Sequence, residues 1–542
     1  MARMTCRPAL WCLLAPAALA AQTPTVPTPV AGAARDSTPV AITHVTVIDV
    51  ERGRRLPGHT VLVAGRRIRA FGPDAAVRVP AGARVVDGRG KYLIPGLWDM
   101  HVHVSDPDMP GPPDLVLPLF VATGITGVRD MGSASLDTIL RLRAEVRAGE
   151  RVGPRMVVAG KIIDGAPLVF PPSELLALTP EEGRRAVDSL ADRGVDFIKA
   201  YEMLRRDVFL AVLDEARRRG LPVAGHVPLT VDAAEASDSG MRSFEHLRNI
   251  DLACSARADS LREARVATLE ANAGYTGGAS EGTAAWSAGY GAGEKVRRDI
   301  HLGQRPRALD TEDPSRCAAL LARLAHNATR QTATLFIQSE VLDAERQARL
   351  APTLRYVPGA YRERWERGAA SFAALPAARL AGARRWQSWE AALVRRLADA
   401  GVPLLAGTDA SVASVVPGFG LHEELDALVR LGNLTPLQAL RAATLEPARF
   451  LGATDSLGTV AAGKLADLVL LDADPLADIR NTQKTRAVLV NGRLLDRTAL
   501  DALLAGAERA ANGAPGARKP APASLGEPVR ASRRSMSRLI AP

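Results

Sequence analysis

Cysteine is nearly missing from this chain: there are four in 542 residues, and two of them, Cys6 and Cys12, fall inside an apolar leader. That leaves Cys254 and Cys317, enough for one disulfide or for two free buried thiols, and both readings stay open. Aromatic residues are scarce too, at 4%, while apolar residues reach 47%, so the core has to be built from Ala, Leu and Val rather than from rings. No apolar stretch after the leader is long enough for a bilayer, which excludes an integral membrane segment. A net charge of +10 invites a nucleic-acid partner. The arginines, however, are scattered over helical stretches and gathered at the C-terminal end, with no basic-aromatic motif, so no nucleic acid is expected.

Residues 1–20 read as a secretory signal peptide. Arg3 and Arg7 give the positive start, residues 10–19 the short apolar stretch, and Ala18-Leu19-Ala20 the small-residue cleavage site. The expected location is therefore periplasmic or secreted. Residues 21–38 are Pro/Thr-rich and read as an extended linker. Alternating apolar residues, with turns at Gly53, Gly58, Gly65 and Gly82, then predict a small antiparallel β unit over 39–95.

From residue 96 apolar strands alternate with helical patterns. The predicted strands cover 97–104, 125–131, 156–163, 197–201, 223–227, 243–247, 334–337 and 402–409, with helices between most of them. Eight β/α repeats predict an α/β fold, a closed (β/α)8 TIM barrel over 96–453 with its site at the strands' C-terminal ends. The spacing breaks at an insertion of about 251–330, which holds a Gly-rich segment with Trp286 and Tyr290 and reads as either a lid or a surface excursion. A helical, Arg-rich stretch over 341–400 precedes the eighth strand. Further β-like runs at 457–460, 466–472 and 487–490 predict that 454–500 joins the first β unit in one small sandwich. The tail from about Ala507 through 542 reads as disordered and basic.

Chemistry gathers at the strand ends. His101 and His103 alternate on a strand and so share a face, from which two imidazoles reach one cation. Lys199, His226, His246 and Asp409 each fall at or near the end of a predicted strand. A lysine closing an apolar strand demands a partner, because a buried ammonium is costly. Tyr201 shares the Lys199 face, as a substrate-binding hydroxyl or a structural rim residue. Arg129 pairs with Asp130 or meets a substrate carboxylate. His422 and Glu424 read as supporting or packing residues.

With these segments on the page, the sequence resembles the amidohydrolase superfamily, in its imidazolonepropionase-like and Xaa-Pro dipeptidase-like branch. The resemblance rests on Leu93-Ile94-Pro95-Gly96-Leu97-Trp98-Asp99-Met100-His101-Val102-His103, Gly124-Ile125-Thr126-Gly127-Val128-Arg129-Asp130-Met131-Gly132, Ala406-Gly407-Thr408-Asp409 and Gly463-Lys464-Leu465-Ala466-Asp467-Leu468-Val469. It covers roughly residues 40–500 apart from the insertion. It implies two divalent metal ions, zinc foremost, with His101, His103 and Asp409 on one and His226 and His246 on the other. Lys199, carboxylated by carbon dioxide to a carbamate, would bridge them. A hydroxide between the ions would attack, and Asp409 would carry its proton to the leaving group.

The function expected is that of an exported binuclear amidohydrolase cleaving the amide of a small molecule, a dipeptide or an N-acyl amino acid. Lactone or ester hydrolysis is the alternative, since the same nucleophile attacks either carbonyl. A single-metal deaminase of the superfamily would carry a Glu three residues after His226, where Leu229 stands. A metal-free binding module would have shed ligands, whereas all six positions are filled. A homo-oligomer is compatible with the sequence.

Overall fold

The computed structural model describes residues 38–106, 108–275, 290–339, 348–410, 412 and 414–513. The leader, nearly all of the linker, most of the Gly-rich segment with Trp286, and the tail beyond residue 513 lie outside the described residues. Five strands open the chain: β1 (Val40–Asp49), β2 (Arg54–Ala64), β3 (Arg67–Pro73), β4 (Arg84–Asp87) and β5 (Tyr92–Pro95). The first three form an antiparallel meander, and β4 and β5 lie parallel to β1. The inward residues of the meander, Ile42, Val45, Val47, Val61, Val63 and Ile68, are buried in a core of their own.

Then come β6 (Leu97–Val102), β7 (Ile125–Asp130) and β8 (Arg155–Val158), a parallel sheet in that order. Every residue of β6 and β7 is buried, which is why both read as near-continuous apolar runs. A second parallel sheet holds β9 (Ile162–Asp164), β10 (Glu174–Leu176), β11 (Ile198–Ala200), β12 (Val223–Gly225), β13 (Met241–Glu245), β14 (Arg330–Thr332) and β15 (Leu404–Leu405). Its order is β10-β9-β11-β12-β13-β14-β15. Amphipathic helices such as Pro180–Asp192 and Arg206–Arg218 connect successive strands; the first starts where the Thr179 hydroxyl accepts the Glu182 N–H. Backbone bonds also run between the two sheets, from Met100 N to the Ala406 carbonyl and from Asp196 N to the Val158 carbonyl, both 2.9 Å.

The chain closes with β16 (Leu468–Leu471), β17 (Thr485–Val490) and β18 (Arg493–Leu495). β16 pairs antiparallel with β5, Val469 opposite Ile94 and Leu470 opposite Leu93, so both flanks meet as expected. They do so within one eight-stranded sheet. It bends round on itself: Ile68 N bonds the Lys464 carbonyl and Ala466 N the Arg66 carbonyl.

Four expectations need correction. The seventh strand is Arg330–Thr332, not 334–337: Thr334 adopts φ +46°, and Leu335–Ser339 is helical. The run 156–163 splits into β8 and β9 around Gly160 at φ +74°. Residues 457–460 form turns about Gly458, whose φ is +84°, rather than a strand. The tail does not begin at Ala507, because the helix Arg497–Gly513 carries on past it and buries Leu500, Ala507 and Ala511.

The insertion between β13 and β14 is helical in its described parts, with helices Ala258–Asn272, Ala292–Asp310 and Pro314–His326. A disulfide joins Cys254 to Cys317 across it. Helices Gly359–Ala373 and Ala377–Asp399 fill the connection between β14 and β15. Among the described residues no helix is long and apolar enough to cross a membrane.

Candidate metal centre

The parallel strands end on one cluster of imidazoles around Asp409. His101 Nε2 and His103 Nε2 lie 3.3 and 3.2 Å from Asp409 Oδ1, and His246 Nε2 lies 3.6 Å from Oδ2. The His246 ring centroid is 4.6 Å from that of His101 and 4.8 Å from that of His226. Ligand atoms of His101, His246 and Asp409 all fall within 4.8 Å of one another.

Each Nδ1 is occupied on the far side of its ring. His101 Nδ1 bonds Glu245 at 2.8 Å, His103 Nδ1 the Gly132 carbonyl at 3.0 Å, and His226 Nδ1 Glu202 at 2.6 Å. His246 Nδ1 donates to the Thr334 hydroxyl at 2.7 Å, which itself donates to the Ala333 carbonyl. A ring donating from Nδ1 holds its lone pair on Nε2, the form a metal ligand needs. Among the described residues, the buried Nε2 of His226 has no hydrogen-bond partner. Burial pushes His101 down to about 4 and His226 to about 3, so both rings are neutral at neutral pH.

The backbone bends to make this arrangement. Successive strand residues face opposite ways, yet Glu245 and His246 both reach inward, because His246 sits at φ +59° just past β13. Asp409 adopts φ +56° just after Gly407. A side chain at Gly407 would come within 2.6 Å of Thr332 and 2.9 Å of the His101 backbone, so only glycine lets the two strand ends lie this close. Asp99 ties them together, accepting from the Thr408 hydroxyl at 2.6 Å and from the Thr408 and His101 N–H groups. Asp409 stays charged: burial opposes this, but His101, His246 and His103 hold its carboxyl well below the usual range.

Lys199 lies on β11 and is 1% exposed. Among the described residues its ammonium has no hydrogen-bond or ion-pair partner; the Tyr201 ring centroid lies 5.6 Å from Nζ. Burial pulls its pKa down to about 8. The Tyr201 ring lies tilted 4.2 Å from that of His226 and meets Phe170 edge-on, with Tyr290 against Phe170 at 4.8 Å. These rings line the Lys199–His226 side of the cluster.

Arg129 points into the interior. It is fully buried, donating to the Met100 carbonyl at 2.6 Å and to both Glu245 oxygens at 2.8 and 2.9 Å. Its ion pair is therefore with Glu245, not Asp130, and it supports His101 from beneath. His422 is a packing residue, bonded to Thr482 and to the Thr123 carbonyl, and Glu424 accepts the Phe336 N–H. Sequence reasoning missed Asp99, Glu202, Glu245, His301 and Arg297. Asp99 and Glu245 were readable as acids beside predicted ligands, but the other three meet only in three dimensions.

The comparisons agree with the geometry. A 73-residue stretch is 37% identical to an adenine deaminase of Ruegeria pomeroyi, covering 14% of this chain and only 12% of that protein's length. Across the fold, the chain is similar to bottromycin amidohydrolase, with a TM-score of 0.64 and 25% identity over 87% of this chain and 90% of that one. It is also similar to a Xaa-Pro dipeptidase solved with bound methionine in its active site, with a TM-score of 0.58 and 20% identity over 85% of this chain and all of that one. The amidohydrolase family profile matches residues 92–269 and 380–495, more than half of the chain, including all six strand-end residues. The chain belongs to the amidohydrolase family.

Proposed function

We propose that this chain is an exported, binuclear metal-dependent amidohydrolase that cleaves the amide bond of a dipeptide or an N-acyl amino acid. Residues 96–453 then form a closed (β/α)8 barrel, a reading supported by the backbone bonds that run between the two parallel sheets. The observation that carries the functional reading is the convergence of histidine Nε2 atoms on Asp409 while every Nδ1 is held elsewhere.

The donor set fits two divalent cations, with zinc favoured by its nitrogen and carboxylate ligands. His101, His103 and Asp409 would hold one and His226 and His246 the other. Lys199 fits the bridging position because its amine is buried, unpaired and shifted toward neutrality, the form that combines with carbon dioxide. Its carbamate would replace a stranded cation with an anionic ligand. Bound there, the ions would supply an acidified water and an electrophile for the scissile carbonyl.

The chain's own residues do the rest. Asp409 accepts the proton of the attacking water and returns it to the leaving nitrogen. Tyr201, beside His226 on the site's aromatic wall, places the substrate carbonyl or carboxylate. Glu245 and Glu202 keep His101 and His226 in one tautomer. The leader sequence supports action outside the cytoplasm.

The test is metal content with hydrolysis of a mixed panel of dipeptides and N-acyl amino acids, wild type beside Lys199→Ala and Asp409→Asn. The expected outcome is about two ions per chain and amide cleavage. Lys199→Ala is expected to lose both, and Asp409→Asn about 10²–10⁴-fold in kcat. Cleavage of esters or lactones alone would overturn the substrate class, and a folded protein without metal would overturn the mechanism.

A further inference from the structure

We infer that His301, carried by the insertion, is a positioning residue for the second metal site, acting through Glu202 on His226. The inference rests on the reading of His226 as a ligand. Glu202 lies three residues past Lys199 and is fully buried. One of its oxygens takes the His226 Nδ1 proton at 2.6 Å, and the other lies 2.5 Å from His301 Nε2. Arg297 adds a donor at 3.2 Å. Both His301 and Arg297 belong to the inserted helix Ala292–Asp310.

A buried carboxylate needs donors around it to fix its position and orientation. Among the described residues, the side-chain partners of the Glu202 carboxyl are His226 and these two inserted residues. Apart from His226 itself, the described side-chain partners of that carboxyl all come from the insertion. Removing the His301 bond therefore loosens Glu202, and through it the tautomer and tilt of His226.

The helix is docked firmly enough for this task. At its start, Gly291 N bonds the Val169 carbonyl at 2.7 Å and Gly293 N the Leu168 carbonyl at 2.9 Å. Further along, Gln304 accepts from Arg265 at 2.6 Å, Arg265 donates to Asn249 at 2.7 Å, and Asn249 donates to the Val227 carbonyl at 2.6 Å. That path ends on the residue next to His226. The described part of the insertion thus packs against the His226 side of the centre.

The experiment titrates metal-free full-length protein with Co²⁺, following stoichiometry, affinity and the visible spectrum, for wild type, His301→Gln, His301→Leu and Arg297→Met. Circular dichroism of the metal-free forms monitors the fold. The expected result is that His301→Leu weakens one of two ions about 10–100-fold and changes its spectrum. His301→Gln, whose amide N–H still reaches Glu202, keeps wild-type affinity. Should His301→Leu fail to fold, Arg297→Met carries the test, with a smaller loss at the same ion. Wild-type Co²⁺ affinity in a folded His301→Leu, or in the folded Arg297→Met if that variant carries the test, would overturn the inference; so would an equal loss in His301→Gln, which would mark mere packing. Wild type that binds no Co²⁺ would instead overturn the functional reading on which the inference stands.

Discussion

His101 and His226 are oriented by the same device, built from different parts of the chain. Each gives its Nδ1 proton to a fully buried glutamate, and each glutamate is held by a cation. For His101 the acid is Glu245 on β13 and the cation Arg129 on β7, so the unit lies inside the parallel sheets. For His226 the acid follows β11, but its support, His301 and Arg297, arrives from an insertion. The difference is one of anchoring. The first arm is locked by strand pairing, while the second depends on how well some eighty inserted residues are docked.

The largest effect tests the His101 arm. Arg129→Met leaves Glu245 buried without its cation, and the expected loss is about 3–5 kcal/mol of folding stability. Chemical denaturation measures it; a loss below about 1 kcal/mol would show that the two arms do not differ in anchoring. Next comes the insertion's own staple. Cys254 and Cys317 are 63 residues apart, and replacing both with Ala is expected to cost about 2–4 kcal/mol. Limited proteolysis is expected to show new cuts between those positions while the strands of the His101 arm stay resistant; cuts spread evenly over the chain would break the comparison.

The last effect, read per pH unit, sharpens it through pH. Glu390, on the helix Ala377–Asp399, is pushed up to about 8 by burial, against the pull of Arg305 and Arg248. The folded chain therefore keeps this proton over a range where the unfolded chain has released it. Stability from this group is fully present below about pH 4.5, the ordinary glutamate value, and is lost as pH rises through about 8. Compared with Glu390→Gln, the wild type is expected to lose about 1 kcal/mol per pH unit across that window. Thermal melts at pH 6 and pH 8 measure the gap, and parallel curves would exclude it.

Much of the site was legible because its chemistry repeats at fixed places on strands. His101, His103, Lys199, His226, His246 and Asp409 stood out as polar residues closing apolar runs, and five of them come together around one point or line its wall. Lys199 is buried, and among the described residues its ammonium has no ion-pair partner. Arg129 could not be placed from sequence because alternation along β7 gives its face but not what stands there; a glutamate on β13 does. The seventh strand shifted because Leu335, Phe336 and Ile337 suit a buried helix as well as a strand, and periodicity over so few residues does not distinguish them.

The sequence by itself determined the family, the alternation of strand and helix, and the residues that close the strands, since these follow from local pattern and from side-chain chemistry that does not depend on neighbours. Tertiary structure decided how those residues are held. Which glutamate backs which imidazole, which cation backs that glutamate, and that an insertion reaches the centre at all depend on contacts between residues as far apart as Glu202 and His301. A pairing of that kind leaves no period in the chain, because only the packing of whole elements brings its two halves within a hydrogen bond.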